Sequence, residues 1–182
     1  WPGIVWDIVK PKQQKYGCTR INRELKIVKR CLSEPFTEGL AELFGFPVVC
    51  DPSLFGAGAH EIRQGGHLGI HVDFNLHPKL DTLYRRVNLL IYLNYNWQGE
   101  NGDLEIWAGD DDDPKECVRS IPPEFNTAVL FEASERSWHG HPRPLQSAQN
   151  RKALAFYYYS PEPPPVKWAR HSTRYKKVGT AQ

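Results

Sequence analysis

The residues best suited to chemistry are two histidines and an aspartate: His71, Asp73 and His139. His71 and Asp73 are two positions apart, and His139 lies much later, between a tryptophan and a glycine. Side chains at positions i and i+2 of a β-strand point to the same face, so His71 and Asp73 can bind one metal ion together. Two imidazoles and one carboxylate with open coordination positions are the ligand set of a facial triad for non-heme Fe(II). His141 shares a strand face with His139 and could be the third ligand instead.

A histidine near an aspartate is common without a metal, so the neighbouring segments decide the interpretation. The segment 85–94 alternates strictly between two faces. One face is wholly apolar and carries Val87, Leu89, Ile91 and Leu93, which predicts packing on a core. The other face carries Asn88, Leu90 and Tyr92, which can line a cavity.

The segment 151–159 supplies a candidate anion site. Alternation places Arg151, Ala153 and Ala155 on one face, and Leu154, Phe156 and Tyr158 on the other. Two alanines beside an arginine leave room for a small anion. The guanidinium can donate two N–H groups to a carboxylate, and a tyrosine hydroxyl can add a further hydrogen bond. Lys152 points to the opposite face, which favours Arg151 as the anion-binding residue.

Taken in order, these segments resemble the 2-oxoglutarate- and Fe(II)-dependent oxygenases, specifically their prolyl 4-hydroxylase-like branch. The resemblance extends from about Ala59 to Ser160 and includes H-x-D, the strand ending in Tyr-Leu-Asn, Trp-His-Gly and Arg-Lys-Ala-Leu-Ala. It implies that His71, Asp73 and His139 are the iron ligands, with Trp-His-Gly favouring His139 over His141.

The same resemblance assigns the other candidate residues. Arg151 corresponds to the residue that pairs with the distal carboxylate of 2-oxoglutarate, and Tyr92 to a tyrosine that hydrogen-bonds that carboxylate. Asn88 stands at a cosubstrate-binding position where relatives often carry threonine. Arg85 stands where some relatives place a substrate-binding arginine, and we expect it near the mouth of the pocket. Trp138 is expected to border the substrate site.

The implied activity is hydroxylation of an unactivated C–H bond with release of succinate and CO2. Fe(II) is the metal, 2-oxoglutarate and O2 are the cosubstrates, and ascorbate is the expected reductant. The carboxylate at Asp73 favours hydroxylation, because halogenating relatives have a small residue there. A prolyl residue in a protein or peptide is the first substrate choice, and a free amino acid or small peptide-like metabolite is the alternative. A non-catalytic jelly-roll binding module and a nucleic-acid demethylase are further alternatives.

The predicted fold is mainly β with N-terminal helices: a double-stranded β-helix, that is, a cupin-like jelly roll, with helices packed on one sheet. Apolar spacing predicts a helix over 21–32 and a second one capped by Ser33 and ended by Gly45. Eight strands are expected at about 59–63, 67–73, 86–95, 103–107, 118–121, 128–132, 137–141 and 152–159. We expect a single domain over 1–166, with a helical part over 1–47 and a jelly-roll core over about 59–160. A basic tail over 167–182 is expected to leave the domain after Pro163, Pro164 and Pro165 as an extended spacer.

Composition limits the number of domains, the class of partner and the location that we expect for the chain. At 182 residues, 40% of them hydrophobic, the chain suits one domain with a sizeable core. Basic residues gather at both ends around an acidic middle, which disfavours nucleic acid as a partner. No apolar run is long enough to span a bilayer, so no membrane partner is expected. The four cysteines are scattered, which favours reduced thiols and a cytoplasmic location. The chain has no methionine, so we expect the natural start to be missing and a removed targeting segment stays possible.

Overall fold

The computed structural model describes residues 16–19, 22, 24–166 and 169–178. In chain order these residues form β1 (Tyr16–Thr19), α1 (Lys26–Cys31), α2 (Glu34–Phe44), β2 (Val49–Cys50), β3 (Gly58–Ile62), β4 (Leu68–Val72), β5 (Tyr84–Tyr92), β6 (Leu104–Gly109), β7 (Pro114–Ile121), β8 (Ala128–Glu132), β9 (Trp138–His141), β10 (Arg151–Ser160) and β11 (Arg174–Lys176). All eight predicted strands are present. No helix among the described residues is long and apolar enough to cross a membrane.

The strands form two antiparallel sheets that face each other. The first sheet has the order β1-β3-β10-β5-β8, with β2 also paired to β10, and the second has the order β11-β4-β9-β6-β7. Strands that follow one another along the chain therefore often lie in opposite sheets, which is the arrangement of a jelly roll. The predicted fold class is confirmed. The space between the two inner faces is where the candidate site residues meet.

The helices cover the outer face of the first sheet. Val28 and Leu40 pack against residues of β5 and β10, among them Val87, Leu89, Leu154, Phe156 and Tyr158, all of them buried. Val87 and Leu89 belong to the face of β5 for which alternation predicted packing on a core, and Leu154, Phe156 and Tyr158 lie on the face of β10 opposite Arg151. Burying one such side chain stabilises a fold by roughly 1.5–3 kcal/mol, so this cluster fixes the position of the sheet whose other face lines the cavity.

The helical region differs in detail from the prediction. The first helix begins at Lys26 because Asn22 accepts from the backbone N–H of Glu24 and holds a turn ahead of it. Ile21, the first residue of the predicted stripe, lies outside the described residues. Helix α2 does begin after Ser33 and end at Gly45, whose φ of 75° suits glycine, but the Ser33 hydroxyl donates to the Arg30 carbonyl and caps no helical N–H. The region predicted to be helical also contains β1, which pairs with β3.

The tail after the prolines returns to the second sheet. In β11, Arg174 pairs with Val72 and Tyr175 with His71, so the prediction of a spacer leaving the domain is wrong. Two interactions explain why the tail pairs with the second sheet. The edge of β4 offers unpaired backbone groups, and the buried carboxylate of Glu135 binds both His171 and Arg174. Domain limits at 166 and 182 stay a prediction.

Candidate metal centre

Among the described residues, His71, Asp73 and His139 form one group able to hold a metal ion, with ligand atoms all within 4.8 Å of one another. The Nε2 atom of His71 lies 3.6 Å from Oδ1 of Asp73, and Nε2 of His139 lies 3.5 Å from Oδ2. Residues 71 and 139 are cross-strand partners of β4 and β9, which brings the two rings together. Two segments nearly seventy residues apart in the sequence thus supply one site.

Both imidazoles have the tautomer that a metal requires. The Nδ1–H of His71 donates to the Gly69 carbonyl at 2.8 Å, and the Nδ1–H of His139 donates to the Ser137 carbonyl at 2.7 Å. Such bonds leave the Nε2 lone pairs free to bind a cation. Burial, and next the neighbouring His71, lower the pKa of His139 to about 4. Three electron-pair donors therefore converge, and this donor set fits Fe(II).

The Asp73 carboxylate is oriented by two neighbours. Asn88 Nδ2 donates to Oδ2 at 2.7 Å, and Arg85 Nη2 lies 3.0 Å from the same oxygen. Burial raises the pKa of Asp73, but the Arg85 charge and the two histidines outweigh it and hold the pKa well below its usual range. Asp73 is therefore ionised, with Oδ1 facing His71 and Oδ2 facing His139.

Arg85 does not lie at the mouth of the pocket as predicted. It is 4% exposed. Its guanidinium lies 3.5 Å from the centre of the Tyr157 ring and 4.5 Å from that of Phe74. A β-bulge explains its position: Tyr159 pairs with Arg85 and the adjacent Tyr158 pairs with Val87, so Arg86 is an extra residue in β5. The bulge turns Arg85 to the face of Asn88 and against the metal ligand.

A cavity of about 70 Å³ connects the three ligands with Arg151. The Nε–H of Arg151 donates to the Gly102 carbonyl at 2.7 Å, and Nη2 donates to the Tyr92 hydroxyl at 3.1 Å. Of the five guanidinium N–H groups, three have no hydrogen-bond partner among the described residues. Arg151 and Tyr92 are both at least 95% buried, so an anion between them would be largely shielded from water. The end of the cavity at His71, Asp73 and His139, which suits a metal ion, is here called the metal-binding end, and the end at Arg151, which suits an anion, is called the anion-binding end.

Two predicted site residues have other surroundings. Trp138 is fully buried on the face of β9 opposite His139, packs against Ile70 and Val72, and donates to the Asp110 carbonyl. Adjacent strand residues alternate in direction, so Trp138 points away from the cavity that His139 lines, and its substrate role stays a prediction. Asn88 does line the cavity, but both ends of its amide contact Asp73 and Arg85. Its cosubstrate contact stays a prediction.

Three further residues line the cavity. His60 is 9% exposed and lines the cavity. Tyr157 continues the alternation of Arg151, Ala153 and Ala155, a signal that could have identified it. His141 lines the cavity but lies outside the metal-binding group. Burial, and next the charge of Arg151, keep the pKa of His141 well below its ordinary value.

The chain is similar to known proteins. The prolyl 3-hydroxylase OGFOD1 of Mus musculus is 30% identical over 79 residues, which are 42% of this chain and 14% of the relative. The chain therefore spans a small part of that protein's length. A crystal structure of prolyl 4-hydroxylase from Phytophthora capsici is 21% identical with a TM-score of 0.48, covering 75% of this chain and 43% of the other.

The family comparison covers most of the jelly roll. The model of the 2OG-Fe(II) oxygenase superfamily matches residues 57–159, from the residue before β3 to the next-to-last residue of β10. The match includes both strands of the metal-binding group and the strand of Arg151. The chain belongs to the 2OG-Fe(II) oxygenase superfamily, the family of 2-oxoglutarate-dependent dioxygenases that its sequence resembles.

Proposed function

We propose that this chain is an Fe(II)- and 2-oxoglutarate-dependent hydroxylase that acts on a prolyl residue in a protein or peptide and releases succinate and CO2. The observation that supports the reaction is a single cavity with the triad at one end and Arg151 with Tyr92 at the other. Bound Fe(II) supplies the activation of O2 that C–H hydroxylation needs, with 2-oxoglutarate as the electron source. Ascorbate, which would keep the iron ferrous, stays a prediction.

Each residue has a definite task in this proposal. His71, Asp73 and His139 would hold the iron and leave the remaining coordination positions open. Arg151 would bind the distal carboxylate of 2-oxoglutarate and so direct its 2-oxo acid end toward the metal. A charge-assisted bond in a water-poor cavity is stronger than the same bond in bulk water, so the cosubstrate would be held in one orientation.

Arg85 and Asn88 would act through Asp73. Their contacts with Oδ2 restrict the rotation of the carboxylate, which would fix how Asp73 faces the two imidazoles. Groups that orient a ligand typically change metal affinity or activity by about 10–100-fold when they are removed. We therefore replace the predicted substrate role of Arg85 with a positioning role.

The choice of a peptidyl substrate rests on two observations. The chain is 30% identical to a prolyl 3-hydroxylase over 79 residues. The cation that would have bound the carboxylate of a free amino acid, Arg85, is instead engaged with Asp73. In a peptide, the carboxyl group of an internal prolyl residue forms a peptide bond and carries no charge. A peptidyl substrate therefore needs no such cation.

A peptide screen tests the proposal. The Fe(II)-loaded protein is given 2-oxoglutarate, O2 and proline-containing peptides, and succinate is measured above the substrate-free background. Matched peptides with alanine in place of proline, free proline and the His139→Ala variant serve as controls. We expect stimulated succinate and the gain of one oxygen atom by a proline peptide alone. Oxidation of free proline with no peptide oxidised would instead support the small-molecule alternative.

A further inference from the structure

His141 is a buried polar side chain that the metal-binding group does not use. It is 2% exposed, and neither of its ring nitrogens has a hydrogen-bond partner among the described residues. Leaving a buried polar group unsatisfied costs about 1–3 kcal/mol, so native proteins normally supply a partner. Since His141 lines the cavity, that partner can be a molecule bound inside it.

The position of His141 indicates which part of a ligand it meets. It lies two residues after His139 in β9 and therefore points to the same face, about 6.5–7 Å farther along the strand. Leu68 is its cross-strand partner, and the Leu68 side chain lines the cavity together with Arg151. His141 thus lies toward the anion-binding end of the cavity, which Arg151 also lines.

The backbone of β9 is built to hold both histidines inward. A Cβ atom on Gly140 would lie 2.7 Å from the Gly69 carbonyl oxygen and 2.8 Å from that of Leu68. Only glycine permits this close approach of β9 to β4, and the register between the two strands shifts at this point. The pairing keeps His139 beside His71 while His141 reaches the next part of the cavity.

We propose that His141 donates a hydrogen bond to the distal carboxylate of 2-oxoglutarate and positions it together with Arg151. A neutral imidazole carries one N–H in either tautomer, and a carboxylate accepts about four hydrogen bonds. Arg151 has N–H groups to spare, so both residues can bind the same carboxylate. This inference rests on the function proposed above and adds a residue that selects a dicarboxylate over a 2-oxo acid with no distal charge.

Direct binding measurements test this inference. Calorimetry under nitrogen gives the dissociation constants of 2-oxoglutarate and of pyruvate, which lacks the distal carboxylate, for the Mn(II)-loaded protein. We expect His141→Leu to raise the constant for 2-oxoglutarate by about 10–100-fold, the loss of a hydrogen bond to a charged group. The constants for pyruvate and Mn(II) should stay within about twofold. His141→Gln, which retains a donor, should recover part of the loss, and the exposed His67→Leu is the matched control.

The outcomes separate the two proposals. If the parent protein does not bind 2-oxoglutarate at all, the proposed function fails. If it binds and His141→Leu binds within about twofold of the parent, only the role of His141 fails. Weakened Mn(II) binding in His141→Leu would also overturn it, because His141 would then act on the metal.

A measurement on the parent protein tests the same inference if the His141→Leu variant does not fold. In the Zn(II)-loaded protein with ¹⁵N-labelled histidine, 2-oxoglutarate should shift the ring N–H signal that is missing from His141→Gln, and pyruvate should not. An unchanged signal at saturating 2-oxoglutarate overturns the inference, since the N–H would then still meet water or remain unpaired.

Discussion

Replacing Arg151 by alanine should weaken 2-oxoglutarate binding more than any other single change at the anion-binding end. The guanidinium is 5% exposed and already fixed by the Gly102 carbonyl and the Tyr92 hydroxyl. It therefore loses little side-chain freedom when it binds a ligand. A hydrogen bond to a charged group contributes about 1.5–3 kcal/mol, so the dissociation constant should rise by about 10–150-fold.

The assay is calorimetric titration of 2-oxoglutarate into the Mn(II)-loaded protein under nitrogen. Lys152→Ala is the matched control, because Lys152 is the next residue of β10 and points to the other face. Arg151→Lys should be intermediate, since a single ammonium cannot reproduce the fork of N–H groups. If Arg151→Ala binds within about twofold of the parent, or Lys152→Ala loses more, the assignment of the anion-binding end is refuted.

Three further changes test the surroundings of the site. Tyr92→Phe removes one neutral donor and should raise the same dissociation constant by only about 2–10-fold, measured by the same titration. Arg85→Ala leaves a buried carboxylate without its counter-charge, and should lower the free energy of unfolding of the metal-free protein by about 3–5 kcal/mol in urea titrations. A loss below about 1 kcal/mol would contradict the buried pair. Burial first, and then the nearby Arg151 and Arg85, hold the pKa of His60 at about 4 rather than 6.5, so the unfolded chain binds more protons between these values. The free energy of unfolding should therefore fall on acidification through that window. In His60→Gln the free energy of unfolding should differ between pH 7 and pH 5 by about 2 kcal/mol less than in the parent protein.

Alternation along single strands was enough to predict most of the cavity wall. In β5 and β10 the apolar faces pack under the helices, and the opposite faces carry Asn88 and Arg151 into the cavity, with the Tyr92 hydroxyl beside Arg151. This works because a strand buried on one face has a strongly specified register. The same rule, applied to Trp138, would have excluded it from the cavity that its neighbour His139 enters.

The features that the sequence could not reveal depend on contacts between distant segments. The bulge at Arg86 has no local signal, yet it directs Arg85 to Asp73 instead of the pocket mouth. The return of β11 depends on Glu135, a buried acid that attracts the basic tail from about 40 positions away. The local composition, with several prolines and basic residues, indicated a spacer. It could not reveal the pairing, because β4 and Glu135 lie far from the tail in the sequence.

The most direct test of the central claim is succinate formation from 2-oxoglutarate in air, compared between the parent protein and His139→Ala. The parent protein should form succinate slowly without any other substrate, and only with Fe(II) and O2 present. His139→Ala should form none above the protein-free background, since one of the three metal ligands is gone. Undiminished succinate formation by His139→Ala would contradict the assignment of the metal centre.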